Sequence, residues 1–158
     1  PYDRITVQRI IDAADVGRTT FYAHFEAKDD LLRALCSEIF EHVFSDGLQK
    51  EKTHDFSVEH DTKALITHIL FHLQEHLDYL PGILSAESGE IFMGAFKACL
   101  QELFSGSGRK NGSHVPRDYI LDHAVCDFAE TVRWWARNKS YSPEEVSSFF
   151  IETTPLFE

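Results

Sequence analysis

The stretch Thr6-Val7-Gln8-Arg9-Ile10-Ile11-Asp12-Ala13-Ala14-Asp15-Val16-Gly17-Arg18-Thr19-Thr20-Phe21-Tyr22-Ala23-His24-Phe25 decides the fold. Val7, Ile10, Ile11 and Ala14 recur at the spacing of a helix with one buried stripe, and Thr6 is placed to cap its start. Asp15 tolerates a left-handed backbone and Gly17 starts the next turn without a Cβ clash, so the break is tight. A second short helix then covers Arg18 to Phe25. Phe21 and Phe25 share its inner face, while Arg18, Thr19, Tyr22 and His24 face outward.

Two short helices joined in this way form a helix-turn-helix, in which the second helix enters the major groove through its N-terminal end. Short polar side chains there let the backbone approach the bases. Arg18 is placed to reach a guanine edge or a phosphate, and Thr19 and Thr20 a thymine methyl or a phosphate. Tyr22, His24 and Lys28 suit phosphates. Lys28 opens a further amphipathic helix, with Leu31, Leu32 and Leu35, whose start favours an anion.

Several spacings match a known pattern together: Ile5-Thr6-Val7 to Ile10, Ala13-Ala14-Asp15-Val16, Thr20-Phe21-Tyr22-Ala23-His24-Phe25, and Lys28-Asp29-Asp30-Leu31-Leu32. This run resembles the signature of the TetR/AcrR transcriptional regulators. It departs in two places, with Asp15 where the family usually has Gly and Gly17 where it usually has Ser. The resemblance implies an all-α protein with a DNA-binding module over 1–44 and an effector-binding and dimerisation domain over 45–158. DNA contacts are then expected from Thr6, Arg18, Thr19, Thr20, Tyr22, His24 and Lys28. It also implies a further helix before Pro1, a basic stretch that braces the pair, which this sequence lacks.

The net charge of -11 argues against nucleic acid as a partner if taken over the whole chain. From Pro1 to Leu35, however, six acids (Asp3, Asp12, Asp15, Glu26, Asp29, Asp30) nearly balance five bases (Arg4, Arg9, Arg18, Lys28, Arg33), so the excess acid lies further on. Cys36, Cys99 and Cys126 are odd in number and form no CxxC pair, which fits a reducing compartment better than a disulfide framework. No apolar run approaches the roughly 20 residues that span a bilayer, and no signal sequence opens the chain. The expectation is a soluble, cytoplasmic protein with no membrane partner, no cofactor and no enzymatic activity.

Beyond the module, Leu31–Phe44 continues as a helix with Leu35, Ile39, Phe40 and Val43 on one stripe, a lever between the domains. Asp46–Asp61 reads as a connection, and Ala64–Tyr79 as a helix ended by Pro81 and Gly82. Apolar residues from Ile83 to Phe104 mark another helix or a broken pair. Ser105–His114 is the most loop-like stretch, with Pro116 opening a long helix over Tyr119–Asn138. Ser142-Pro143-Glu144-Glu145 caps a last helix running toward Leu156. The resemblance implies that these last two helices pair with a second copy, giving a C2 homodimer that addresses successive major grooves of a palindromic operator.

An effector site is expected from His68, Phe71, His72, Phe92, Phe96, Phe128 and Trp135. The aromatic residues, with Tyr79, line a cavity or make a solid core, and helical spacing does not distinguish the two. His68, His72 and His76 recur every fourth residue on one face, but no carboxylate or cysteine completes a zinc pattern, so no metal is assigned. His123 is read as a hydrogen-bonded residue and not a catalytic base. Trp134 and Trp135 must point about 100° apart, one toward a dimer seam and the other inward or to solvent. The leading function is a repressor released by a small-molecule effector of unspecified identity. Its alternative is a DNA-binding regulator whose second domain docks a protein co-regulator, and a helical metalloenzyme built on the three histidines is the remote third.

Overall fold

The computed structural model describes residues 2–44, 62–84, 86–105 and 114–154, and among these there are eight α-helices and no strand. The all-α expectation holds. A single 3-10 turn over Tyr2–Arg4 leads into α1 (Val7–Ala14), α2 (Arg18–His24), α3 (Lys28–Phe44), α4 (Thr62–Glu75), α5 (Leu80–Ile83), α6 (Ala86–Ser105), α7 (Arg117–Trp135) and α8 (Pro143–Thr153). The connection read over 46–61, most of the glycine- and serine-rich stretch, and the end of the chain near Leu156 lie outside the described residues.

The interior is built by α4, α6, α7 and α8. Five consecutive residues of α4, from Ile66 to Leu70, are buried, as in a helix surrounded by neighbours and not lying on a surface. Phe92, Phe96 and Phe104 from α6, Phe128 from α7 and Phe150 from α8 are buried and meet ring to ring, with centroids 4.9–6.2 Å apart. Burying each such ring contributes about 1.5–3 kcal/mol. Two hydroxyls pair inside this core: that of Thr67 donates to the Lys63 carbonyl and lies 2.8 Å from the Ser147 hydroxyl, tying α4 to α8.

Helix α6 is the central support. It packs against α3 on one side and α7 on the other, and both α5 and the Tyr2–Arg4 turn rest on it. At its start Gly89 comes so close to the preceding segment that a Cβ there would lie 2.5 Å from the Leu84 carbonyl oxygen. Only glycine allows that approach. Nearby the Ser88 hydroxyl donates to the Ile83 carbonyl.

Three boundaries differ from the sequence expectation. The fourth helix ends at Glu75 and not at Tyr79, because His76, Leu77 and Tyr79 hydrogen-bond three residues back and tighten the chain into turns. Pro81 and Gly82 do not end that helix. They lie inside α5, where a proline is tolerated because a first-turn N–H has no helical acceptor. Pro116 precedes α7 as its N-cap residue, and that helix closes at Trp135. At α8 the expected capping box is present: the Ser142 side chain accepts from the Glu145 N–H, and Glu145 accepts from the Ser142 N–H.

Candidate nucleic-acid interface

The first helix pair is held by Ile11 of α1 and Phe21 of α2, both buried, with Val7, Ile10 and Phe25 half-buried around them. Thr6 caps α1 as expected, its hydroxyl accepting the Arg9 N–H at 3.3 Å. Asp15 takes the left-handed conformation at φ 53°, and its N–H and that of Val16 both close on the Ile11 carbonyl. Gly17 has an ordinary φ of -75° and room for a side chain, the nearest atom to a built Cβ being the Thr20 hydroxyl at 3.7 Å. The reason given for glycine at that position therefore does not operate.

With Phe21 turned inward, the other face of α2 is open. Arg18, Thr19, Thr20, Tyr22 and His24 are all exposed, as is Thr6 at the start of α1. The Tyr22 ring meets Phe21 edge to face at 5.3 Å, and the Arg18 guanidinium lies 5.8 Å from the Tyr22 ring centre. This is a polar, cation-bearing face with no carboxylate in its first turn.

Lys28 is placed differently from the other six candidates. Its ammonium donates to the Tyr2 and Ile5 carbonyls at 3.1 and 3.2 Å and sits 4.1 Å from the centre of the Tyr2 ring. Tyr2 in turn donates its hydroxyl to Asp29. Lysine and aspartate at the head of α3 thus clasp the segment that precedes α1. Asp30 closes the turn before α3, accepting the Glu26 and Ala27 N–H groups and pairing with Arg33 at 2.8 Å. The Ala27 N–H leads the set that holds its carboxyl below the usual range, joined by the Glu26 N–H and Arg33. Tyr2, Asp29 and Asp30 went unassigned in the sequence reading. Asp30 had a signal, an acid at the third residue of a helix, whereas the Tyr2 contact spans 27 residues and leaves no local trace.

Of the seven effector candidates, four belong to one buried core. Phe92, Phe96, Phe128 and Trp135 are fully buried, and the three phenylalanine rings stack at 5.9–6.0 Å. His68 is buried, Phe71 and His72 half-buried, and the two imidazoles face each other with Nε2 atoms 3.0 Å apart. His76 does not join them, because it lies beyond the end of α4 and is exposed. Tyr79 is 72% exposed in the following turn and lines no core cavity. No group of three or more potential ligands that could hold a metal is found among the described residues. The Trp135 indole donates to the Tyr141 carbonyl at 2.9 Å, whereas Trp134 points out and joins Tyr141 and Phe149 in an exposed aromatic cluster. Beside that cluster runs an open groove of about 500 Å³, lined by Asp127, Glu130, Thr131, Trp134, Phe149, Phe150 and Thr153.

Among the described residues no helix is long and apolar enough to cross a membrane. Residues 1–35 match the model of the bacterial regulatory proteins of the tetR family. The whole chain is similar to the crystal structure of a TetR transcriptional regulator from Streptococcus agalactiae 2603V, with 27% identity over 96% of this chain and 82% of that one and a TM-score of 0.65. No curated protein matches the sequence.

Proposed function

The chain belongs to the TetR family of bacterial regulatory proteins by its N-terminal domain and its fold, and on that premise we propose that it is a cytoplasmic repressor that grips a palindromic operator as a C2 dimer and releases it when a small effector binds beyond α3. The observation that carries this reading is the open face of α2. Arg18, Thr19, Thr20, Tyr22 and His24 stand exposed on a short helix whose other face is locked by Phe21. Such a helix offers side chains to base edges and phosphates without losing its own anchorage.

The module over 1–44 reads the DNA and the domain over 45–158 holds the effector and the dimer contact. Support for a dimer through α7 and α8 comes from Trp134, Tyr141 and Phe149, large aromatic side chains left exposed side by side on those two helices and the turn that joins them. Coupling runs through α6, against which both α3 and the Tyr2–Arg4 turn pack. An effector that moves α6 therefore moves the elements that aim α2. It shifts the equilibrium only in so far as it binds one arrangement better than the other. His68, Phe71, His72, Phe92, Phe96, Phe128 and Trp135 form its wall, and the stacked rings must part to admit it.

The same stacking favours a second reading. Rings stacked on one another and an open groove on α7 and α8 suit a protein co-regulator that docks on the surface. A gel shift of the full-length protein on its own upstream DNA at constant salt tests the shared premise. Replacing Thr20 and Tyr22 by Ala should abolish the shifted band, and unchanged binding would sink the assignment of α2 to DNA. A thermal-shift screen of small molecules separates the two readings, since a ligand of the native state raises the melting temperature.

A further inference from the structure

We infer that Arg18 reads a guanine in the operator and that Tyr22 is the positioning residue that aims it, an inference that rests on the DNA-binding reading above. The geometry starts inside the module. Phe21 is buried, Tyr22 stands edge-on against it at 5.3 Å, and the Arg18 guanidinium lies 5.8 Å from the Tyr22 ring centre. Each group holds the next. Arg18 and Tyr22 are one helical turn apart, so this contact folds the arginine back along the exposed face of α2, where it would otherwise extend past the helix start toward the DNA backbone.

Three of the module's four other arginine and lysine side chains are occupied within the chain, Arg4 being the exception. Arg9 donates to the Arg4 carbonyl, Lys28 to the Tyr2 and Ile5 carbonyls, and Arg33 to Asp30. Arg18 donates to no oxygen of the described residues. It occupies the first position of α2, where the helix dipole disfavours a cation, behind a Gly17 cap that supplies no side chain and in a first turn without an acid. Helix stability does not account for an arginine there, and a position that breaks a local rule is where a functional demand is expected.

The chemistry selects the base over the phosphate. A phosphate accepts any nearby cation, and a lysine on a free stem would serve. A guanidinium drawn toward a ring, here 5.8 Å from its centre, keeps its nitrogen edge free for the two parallel hydrogen bonds that guanine O6 and N7 accept. Thr19 and Thr20 beside it are short enough for the helix to come close.

Selection of binding sites from a randomised duplex library with the full-length protein, followed by salt titration on the selected duplex, tests this. The wild type should enrich a site with a guanine at one symmetric position. Arg18→Ala should lose about 5- to 100-fold of the discrimination at that base pair and leave the other positions unchanged. Tyr22→Phe, which keeps the ring, should retain the preference. Tyr22→Leu should weaken it at the same base pair, and adding Tyr22→Leu to Arg18→Ala should cost that base pair nothing more. If Arg18→Ala instead lowers affinity evenly across sequences and reduces the salt slope by about one, Arg18 is a phosphate contact and the inference is overturned. A Tyr22→Leu variant with intact preference overturns the positioning role alone. If the wild type enriches no sequence, the DNA-binding reading fails first.

Discussion

Asp15 holds the one positive φ of a non-glycine residue among the described residues, while Gly17, two positions on, has an ordinary backbone. The turn of the helix pair thus places its glycine where freedom is not needed and an aspartate where it is. Exchanging the roles with Asp15→Gly and Gly17→Ser removes a left-handed Cβ and supplies a side-chain cap, and should stabilise the module by about 1 kcal/mol in denaturant melts. A neutral or destabilising result would show that Asp15 has a partner in the intact protein. Cys36 invites a second measurement. Burial, with a smaller contribution from Cys99, pushes its thiol up to about 12, and its sulfur donates to the Phe92 carbonyl. The neutral thiol is the form the fold favours, so its contribution is complete below 9.0 and is lost as pH rises through about 12. Iodoacetamide near neutral pH should label half-exposed Cys126 and leave Cys36 unmodified until the protein is unfolded, as mass spectrometry of the peptides will show. Prompt labelling of Cys36 would contradict its burial. At this scale the sequence was readable where the partner is a neighbour in the chain: Thr6, Asp15 and Ser142 all do what their types prescribe. Lys28 was not, because the carbonyls it holds lie 23 and 26 residues away.

Among the elements, the helices that a spacing rule finds are those with one buried face, and α1, α2 and α8 fall where Ile11, Phe21 and Val146 require. Helix α4 is different. Buried on nearly every side, it offers no polar stripe to mark its end, and the turns that close it at Glu75 come from backbone bonds and not from a breaker residue. Proline and glycine at 81 and 82 drew the boundary too far along. Gly89 carries the constraint that the glycine count alone does not reveal. Gly89→Ala should drive a methyl into the Leu84 backbone and destabilise the protein by about 1–3 kcal/mol, while the same change at Gly94, where nothing lies within 4 Å, should not. Equal melting temperatures for the two variants would refute that contact. At the far end, Ser142→Ala removes the α8 cap and should cost about 1 kcal/mol by the same assay.

For the whole molecule, the architecture was legible because amphipathic helices of this length have few ways to bury their faces, and the resemblance in the first quarter fixed their order. Whether the phenylalanines enclose space was not legible, since Phe92, Phe96 and Phe128 recur identically in a lined cavity and in a stack. The proposed dimer can be tested on the exposed cluster. Trp134→Ala with Phe149→Ala removes two aromatic anchors, and sedimentation velocity should show self-association weakened at least 30-fold, the factor for a contact worth about 2 kcal/mol. A double variant that remains dimeric at the same concentration would move the interface elsewhere.

The two tryptophans also make the protein its own instrument. They are adjacent in sequence, yet Trp135 is sealed in the interior with its N–H bonded to Tyr141, and Trp134 looks outward. Their fluorescence should differ in colour and in access to a quencher such as acrylamide. Trp134→Phe leaves an emitter that follows only the integrity of the interior, and the difference from wild type isolates the light of the outer indole. Shielding of that outer light on dilution and reconcentration then reports on what covers α7 and α8, without a label and on the protein as it stands.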